Sequence, residues 1–363
     1  MPASLLRTLS LRLPIVQGPM TSSDTPALTA AVSGAGGLGM IGAGMCSPSA
    51  ITEAAAAVRR QTDRSFGINL FVQNTPTPDA AAVAQALERL APLYAELGLP
   101  APTVPARWCE DFRAQFEALL AARPAVASFT FGILDSADVA RLKAAGCYVI
   151  GTATTVAEAL AWADVGADAV CASGMEAGGH RGSFLGDFAA SMIGTLALVP
   201  VCVDALRPRG VAVIAAGGIM DGRGMAAAQA LGAEAVQMGT AFLVCPESAI
   251  GSAYRHALAH ASATDTRTTR VFSGRPARAI VNRLLQQLAP FEDSVPAYPV
   301  QNALTGPLRR TAAQTGQADY LSMWAGQGVA AARALPAAEL MALLEKEWRA
   351  VGAVLAAAAA LRG

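Results

Sequence analysis

His180 sits in the run Ser173-Gly174-Met175-Glu176-Ala177-Gly178-Gly179-His180-Arg181-Gly182-Ser183, where a group that exchanges protons near neutral pH is flanked by residues too small to block a ligand. Of the 3 histidines it alone lies in a glycine-rich loop. An imidazole with open space beside it suits proton transfer to a bound molecule or a hydrogen bond to developing negative charge. The competing reading is a histidine that only stabilises its loop. Glu176, four residues upstream, would orient either the loop or the imidazole.

A second constellation is the pair Ala215-Ala216-Gly217-Gly218-Ile219 and Gln237-Met238-Gly239-Thr240. Small residues after two consecutive strands let backbone N–H groups approach phosphate oxygens, and a short helix adds its positive end. Tight turns that need glycine only for backbone geometry are the alternative. Gln17-Gly18-Pro19-Met20-Thr21 and Gly67-Ile68-Asn69-Leu70 add a proline-bounded turn and an amide that both donates and accepts. Together these segments suit a flat heterocycle carrying one phosphate.

Other patterns carry less. Gly34, Gly36 and Gly39 match G-x-G-x-x-G but precede a strand instead of following one, so they read as tight packing and not as a dinucleotide site. His256 and His260 have i, i+4 spacing but lack the glutamate of a zinc protease motif, and no cysteine or carboxylate cluster supplies a third ligand; no metal is expected. Lys143 and Lys346 are the only lysines, which disfavours Schiff-base chemistry.

The elements that must position these residues alternate in type. Strands are expected at Ile15–Gln17, Leu38–Ile41, Phe66–Phe71, Ala125–Phe131, Tyr148–Gly151, Ala169–Ala172, Val211–Ala215 and Ala235–Met238, with helices such as Ser49–Gln61, Ser136–Ala145, Thr155–Gly166 and Gly222–Leu231 between them. That rhythm predicts an α/β fold of the TIM (β/α)8 barrel type, with His180 and both glycine turns on the face where the strands end. Two departures stand out. Gln73–Arg123 is too long for a simple connection and should hold inserted helices, Asp79–Leu97 and Trp108–Ala122. Phe242–Gly363 has no second strand–helix series and should form a mostly helical cap. The expected organisation is a barrel from 1–72 and 125–245, a helical insertion at 73–124 and a mostly helical, substrate-capping C-terminal region at 246–363, with Met1–Pro14 as the barrel's lead-in.

The 363 residues are 53% hydrophobic and 15% charged, which is material for a large core and not for a disordered chain. Lys+Arg and Asp+Glu are both 27, so no bulk field favours nucleic acid or an anionic membrane. Asp24–Glu53 has no charge between its ends but is broken by glycine, serine and Pro48, and Ala350–Leu361 is too short to span a bilayer. The 6 cysteines are scattered and read as free thiols of a cytoplasmic protein. Nothing in the sequence specifies an oligomeric state.

Gln17–Met20, Phe66–Phe71, Gly174–Gly182, Ala215–Ile219, Gln237–Phe242 and Trp324-Ala325-Gly326-Gln327 resemble the nitronate monooxygenase family, formerly 2-nitropropane dioxygenases, over nearly the whole chain. Glu176-Ala177-Gly178-Gly179-His180 is the most specific element of that likeness. The resemblance implies FMN on a TIM barrel, and oxidation of alkyl nitronates, with nitroalkanes as a further class, by O2 to a carbonyl compound and nitrite. It places the family's base on His180 and flavin contacts on Pro19, Met20, Thr21, Asn69, Ser173, Gly178, Gly179, Gly217, Gly218, Gln237, Met238, Gly239 and Thr240. The sequence departs from the family at three places: Ser173 stands where many members have glutamine, Thr130 where relatives often carry histidine, and Arg309-Arg310 where some use lysine for a carboxylated substrate. Rival readings are a flavin-dependent enoyl-acyl carrier protein reductase-like enzyme using NAD(P)H, a phosphosugar lyase or isomerase, and a flavin-binding protein without turnover.

Overall fold

Short apolar strands separated by amphipathic stretches can bury both faces only as a parallel sheet covered by helices. The computed structural model describes residues 4–360, so part of the expected lead-in and the last residues of the tail lie outside the described residues. Its strands are β1 (Ile15–Gln17), β2 (Gly39–Gly42), β3 (Phe66–Phe71), β4 (Val126–Thr130), β5 (Tyr148–Ala153), β6 (Ala169–Ser173), β7 (Gly179–His180), β8 (Ala212–Ala216), β9 (Ala235–Met238), β10 (Thr266–Thr269) and β11 (Ala277–Ile280). Eight of them form one parallel sheet in the order β1-β9-β8-β6-β5-β4-β3-β2, and a parallel bridge between Val16 and Leu38 brings its edges together. The protein is a TIM-type barrel, with each expected strand within a residue or two of its expected place.

Side-chain alternation sorts this sheet into an inside and an outside. Met40, Val126, Ile150, Cys171 and Ile214 fill the barrel interior, and Leu5 and Leu9 at and just after helix α1 (Leu5–Thr8) join that cluster. Their neighbours Ile41, Ala127, Val149, Val170 and Val213 face outward into the core shared with the helices. That layer comprises α2 (Pro26–Gly34), α3 (Pro48–Arg59), α5 (Phe112–Ala122), α6 (Ser136–Ala144), α7 (Val156–Asp164), α8 (Thr195–Leu206) and α9 (Gly222–Ala230), while α4 (Ala80–Glu96) lies elsewhere. Ser47 caps α3 by accepting from Ala50 N, with Pro48 at the first helical position.

The insertion divides in two. Helix α5 packs against α3 and β3 within the barrel's layer through Phe112, Phe116 and Leu119. Helix α4 instead joins the tail, where Tyr94 Oη donates to Leu304 O at 2.6 Å. The tail contains α10 (Thr240–Leu243), α11 (Ser252–His260), α12 (Arg283–Leu288), α13 (Val300–Thr315) and α14 (Ala337–Ala360). It is not helical throughout: β10 and β11 form an antiparallel hairpin to which β7 adds, giving a separate three-stranded sheet. Thr266–Thr269 and Ala277–Ile280 carry no apolar run, and two of the sheet's six residue pairings join positions about a hundred residues apart, so no local signal announces the sheet. Helix α14 returns to the barrel, burying Ala337, Leu340, Met341 and Leu344 against α2 and α9.

Gly151 on β5 marks a tight outward contact, since a Cβ there would stand 2.0 Å from the Trp162 ring, which is itself tied by Nε1 to Thr152 O at 3.2 Å. Gly151→Ala should therefore lower stability by about 1–3 kcal/mol through overpacking. Urea denaturation checks this: the midpoint should fall with the slope unchanged, and an unshifted midpoint would show that the ring has room to yield.

Candidate active site

A cavity of about 520 Å³ opens at the strand C-termini, and its walls include every residue singled out in the sequence for ligand contact: Pro19, Met20, Thr21, Asn69, Ser173, Gly178, Gly179, His180, Gly217, Gly218, Gln237, Met238, Gly239 and Thr240. Strand ends bring these side chains together from segments far apart in the chain. Asn69 Nδ2 donates to Ser128 Oγ across β3 and β4 at 2.9 Å, which leaves its carbonyl oxygen without a protein partner among the described residues. Gly217 and Gly218 have φ of +113° and +69°, a region that favours glycine, and a Cβ on Gly217 would lie 2.6 Å from Thr195 Oγ1.

Three contacts lock the loop after β6. Glu176 accepts from Thr195 N at 2.9 Å and lies within hydrogen-bonding distance of Thr195 Oγ1, so it orients the loop against α8 and not the imidazole. The fully buried Arg181 donates to Ser173 O at 2.9 Å, Gly174 O at 2.6 Å and Ser191 O at 2.9 Å. Gly326 N donates to Thr240 Oγ1 at 3.0 Å and Gln327 N to Glu176 O at 2.9 Å, lacing the tail to both glycine-rich loops. At this crossing a Cβ on Gly178 would meet the Ala325 and Gly326 backbone at 2.5 Å.

His180 pairs with Ala277 of β11, and its Nε2 stands 2.8 Å from Ser273 Oγ. Ser273 Oγ also reaches Arg275 O at 3.2 Å, so the imidazole tautomer follows which acceptor the hydroxyl serves. Aromatic rings enclose the imidazole: Trp324 at 4.9 Å, Phe131 at 5.4 Å and Tyr298 at 5.7 Å between centroids. Burial first, then the charges of Arg275 and Arg309, push its pKa from 6.5 down to about 3. The imidazole is neutral at physiological pH. Phe131, at the end of β4, holds φ at +78°, backbone strain of the sort that accumulates at functional sites.

The electrostatics are one-sided. Among the cavity's lining residues the only formally charged side chains are Arg309 and Arg310; none is Asp, Glu or Lys. Arg309 Nη2 donates to Asn302 O and Oδ1 at 2.8 and 2.7 Å, and its buried Nε has no partner. Burial lowers its pKa to about 10, which leaves it charged. Ser273, Arg275 and Tyr298 have no motif in the sequence, because they reach the site only through the loop of the tail's hairpin and the turn that leads into α13. His256 and His260 lie exposed on α11, away from the cavity walls. Among the described residues no group of three or more His, Cys, Asp or Glu could hold a metal, and no helix is long and apolar enough to cross a membrane.

A β/α barrel with glycine turns after its last two strands and a histidine over its mouth has the plan of an enzyme that holds a phosphate-bearing ligand at the strand C-termini. Nitronate monooxygenase is the family whose model matches residues 3–347, and the chain belongs to that family. It is 42% identical to a probable nitronate monooxygenase of Staphylococcus aureus strain Newman, over 93% of this chain and 94% of the relative. The solved nitroalkane oxidase from Streptomyces ansochromogenes superposes with a TM-score of 0.88 at 39% identity, covering 95% of this chain and 98% of that one. FabK from Thermotoga maritima superposes with a TM-score of 0.76 at 29% identity, covering 98% and 99%.

Asp24 anchors the loop that carries Met20 and Thr21. Its Oδ2 accepts from Met20 N at 2.7 Å and Gly42 N at 2.8 Å, yet burial outweighs both bonds and raises its pKa from 3.8 to about 7. The folded state thus holds a proton that the unfolded chain releases above about 4, and stability falls as pH rises through that window to about 7. Asp24→Asn keeps an oxygen for both N–H groups without the charge. Its melting temperature relative to the unsubstituted protein should climb between pH 4 and pH 8; a difference independent of pH would show that Asp24 is ionised throughout.

Proposed function

We propose that this protein oxidises alkyl nitronates with O2, using bound FMN, to a carbonyl compound and nitrite, with neutral nitroalkanes as a poorer second class. The observation that carries this reading is the cavity wall without a carboxylate, whose only charges are two arginines. Such a pocket favours an anionic ligand over a neutral or cationic one. The residues also fit FMN. The Gly217-Gly218 and Gly239-Thr240 turns leave backbone open for a phosphate, and a Cβ on Gly239 would meet nothing nearer than Met20 Sδ at 3.8 Å.

When bound, FMN supplies the electron-accepting chemistry that no side chain here provides. The phosphate would rest on the Gly217-Gly218 and Gly239-Thr240 turns, with the remainder held by Pro19, Met20, Thr21, Asn69, Ser173, Gly178, Gly179, Gln237 and Met238. Neutral His180 hydrogen-bonds the nitro oxygens, and Arg309 steadies their charge. For a neutral nitroalkane His180 is also the proton acceptor. An imidazole whose pKa lies near 3 is a weak base, which is the reason nitronates, already deprotonated, are the better substrates. Phe131, Tyr298 and Trp324 exclude water around it. The 6 cysteines are free thiols, which supports a cytoplasmic setting.

Three experiments test this. The purified protein should be yellow and release FMN, and Gly218→Asp, which puts a carboxylate on a backbone with φ of +69°, should fold without colour; full flavin retention would remove the phosphate from these turns. Under anaerobic conditions NADH and NADPH should leave the flavin oxidised; bleaching would favour the reductase reading. His180→Asn should reduce nitroalkane oxidation by about 10²–10⁴-fold while sparing much of the nitronate rate. Equal losses on both substrates would assign His180 to binding alone.

A further inference from the structure

The exposed residues of the cavity wall mark where it meets solvent. Gly178 and Gly218 are exposed at the glycine turns, and Ser22, Met45, Gly251, Ser252, Arg310, Ala313 and Gly316 are also exposed lining residues. Only Arg310 among them carries a charge. It belongs to a single face of α13: Asn302, Gly306, Arg309, Arg310 and Ala313 recur at helical spacing and all line the cavity. Small residues at 306 and 313 keep that face low. A Cβ on Gly306 would stand 3.1 Å from Arg310 Nη1, so the Arg310 guanidinium lies back along this face toward the interior. Arg309, one residue away, is directed to Asn302 and Ser322 deeper in the pocket.

Arg310 enters none of the ion pairs among the described residues and makes no hydrogen bond there. An exposed arginine has no structural need to sit uncompensated in a groove that has no acid on its walls. A lone cation at a low-dielectric mouth focuses its field along the groove and raises the local concentration of anions.

We infer that the α13 face is the entry path for anionic substrates, with Arg310 as the residue that captures them at the mouth before they reach Arg309. This rests on the proposed anionic substrate and extends it to a residue that stands apart from the reacting atoms. Arg310 acts on encounter, so it governs kcat/KM and the sensitivity of kcat/KM to salt, and leaves kcat alone.

The holoenzyme provides the test. With a small alkyl nitronate at low ionic strength, Arg310→Gln should lower kcat/KM by about tenfold and Arg310→Glu by more. The gap should close near 1 M salt, where the screening length is about 3 Å, and kcat should hold in both variants. A readout free of turnover uses Trp324, which lines the cavity. The part of the fluorescence lost in Trp324→Phe should be quenched less by iodide in Arg310→Gln, with quenching by neutral acrylamide unchanged. Unaltered kcat/KM and salt dependence in an active enzyme would overturn the path, as would equal loss of iodide and acrylamide quenching. Failure of the wild-type protein to oxidise any nitronate would overturn the functional reading instead, and the comparison of iodide with acrylamide would still decide the path.

Discussion

The site depends on a short antiparallel pairing, His180 with Ala277 and Gly179 with Arg278, which fastens a loop of the barrel to a hairpin of the tail. A glycine-rich loop at a strand end has many conformations of similar energy, and fixing it needs contacts from outside the loop. The hairpin supplies them from above and Arg181 from below. Arg181 meets no carboxylate at hydrogen-bonding distance; carbonyl oxygens of Ser173, Gly174 and Ser191 accept from its two Nη groups, while its buried Nε has no partner among the described residues. Burying that charge lowers its pKa to about 10, and the bonds it makes close the loop's own carbonyls. Removing the side chain would leave those carbonyls buried without donors.

The same pairing fixes the character of His180. The hairpin brings Ser273 to its Nε2, and Arg275 lies with its guanidinium 4.2 Å from the centre of the Phe131 ring beside it. An aromatic cage would by itself keep an imidazole neutral, and the arginine charges enforce this. A neutral imidazole next to two arginines makes a pocket that tolerates negative charge without placing a competing base or acid in it. In a chain of zero formal net charge, that local imbalance comes from the placement of a few residues and not from composition.

Much of the fold was legible because a barrel repeats one signal. Each strand is short and apolar, six of the eight lead to a helix with a side-chain N-cap, and eight repeats leave little freedom in the connection rules. Boundaries moved by a residue or two where strand ends run into loops, as at Gly39–Gly42 and Ala212–Ala216. The insertion was harder. Helices α4 and α5 look alike in sequence, both amphipathic and similarly composed, and only the surfaces available to them send α5 to the barrel and α4 to α13. The hairpin was hidden because its threonine and alanine strands carry no apolar run, and the strand β7 that pairs with β11 lies far away in the chain.

By itself the sequence determined the barrel, the glycine turns and the cavity residues at the strand ends, since these follow from local periodicity and from small residues placed there. Tertiary structure decided what those residues do. It turned Glu176 toward Thr195, surrounded His180 with Ser273, Tyr298 and Trp324, and set Arg309 and Arg310 along one wall with no acid opposite. Proton affinity and charge compensation depend on burial and on neighbours across space, and neither is encoded in the spacing of residues along the chain.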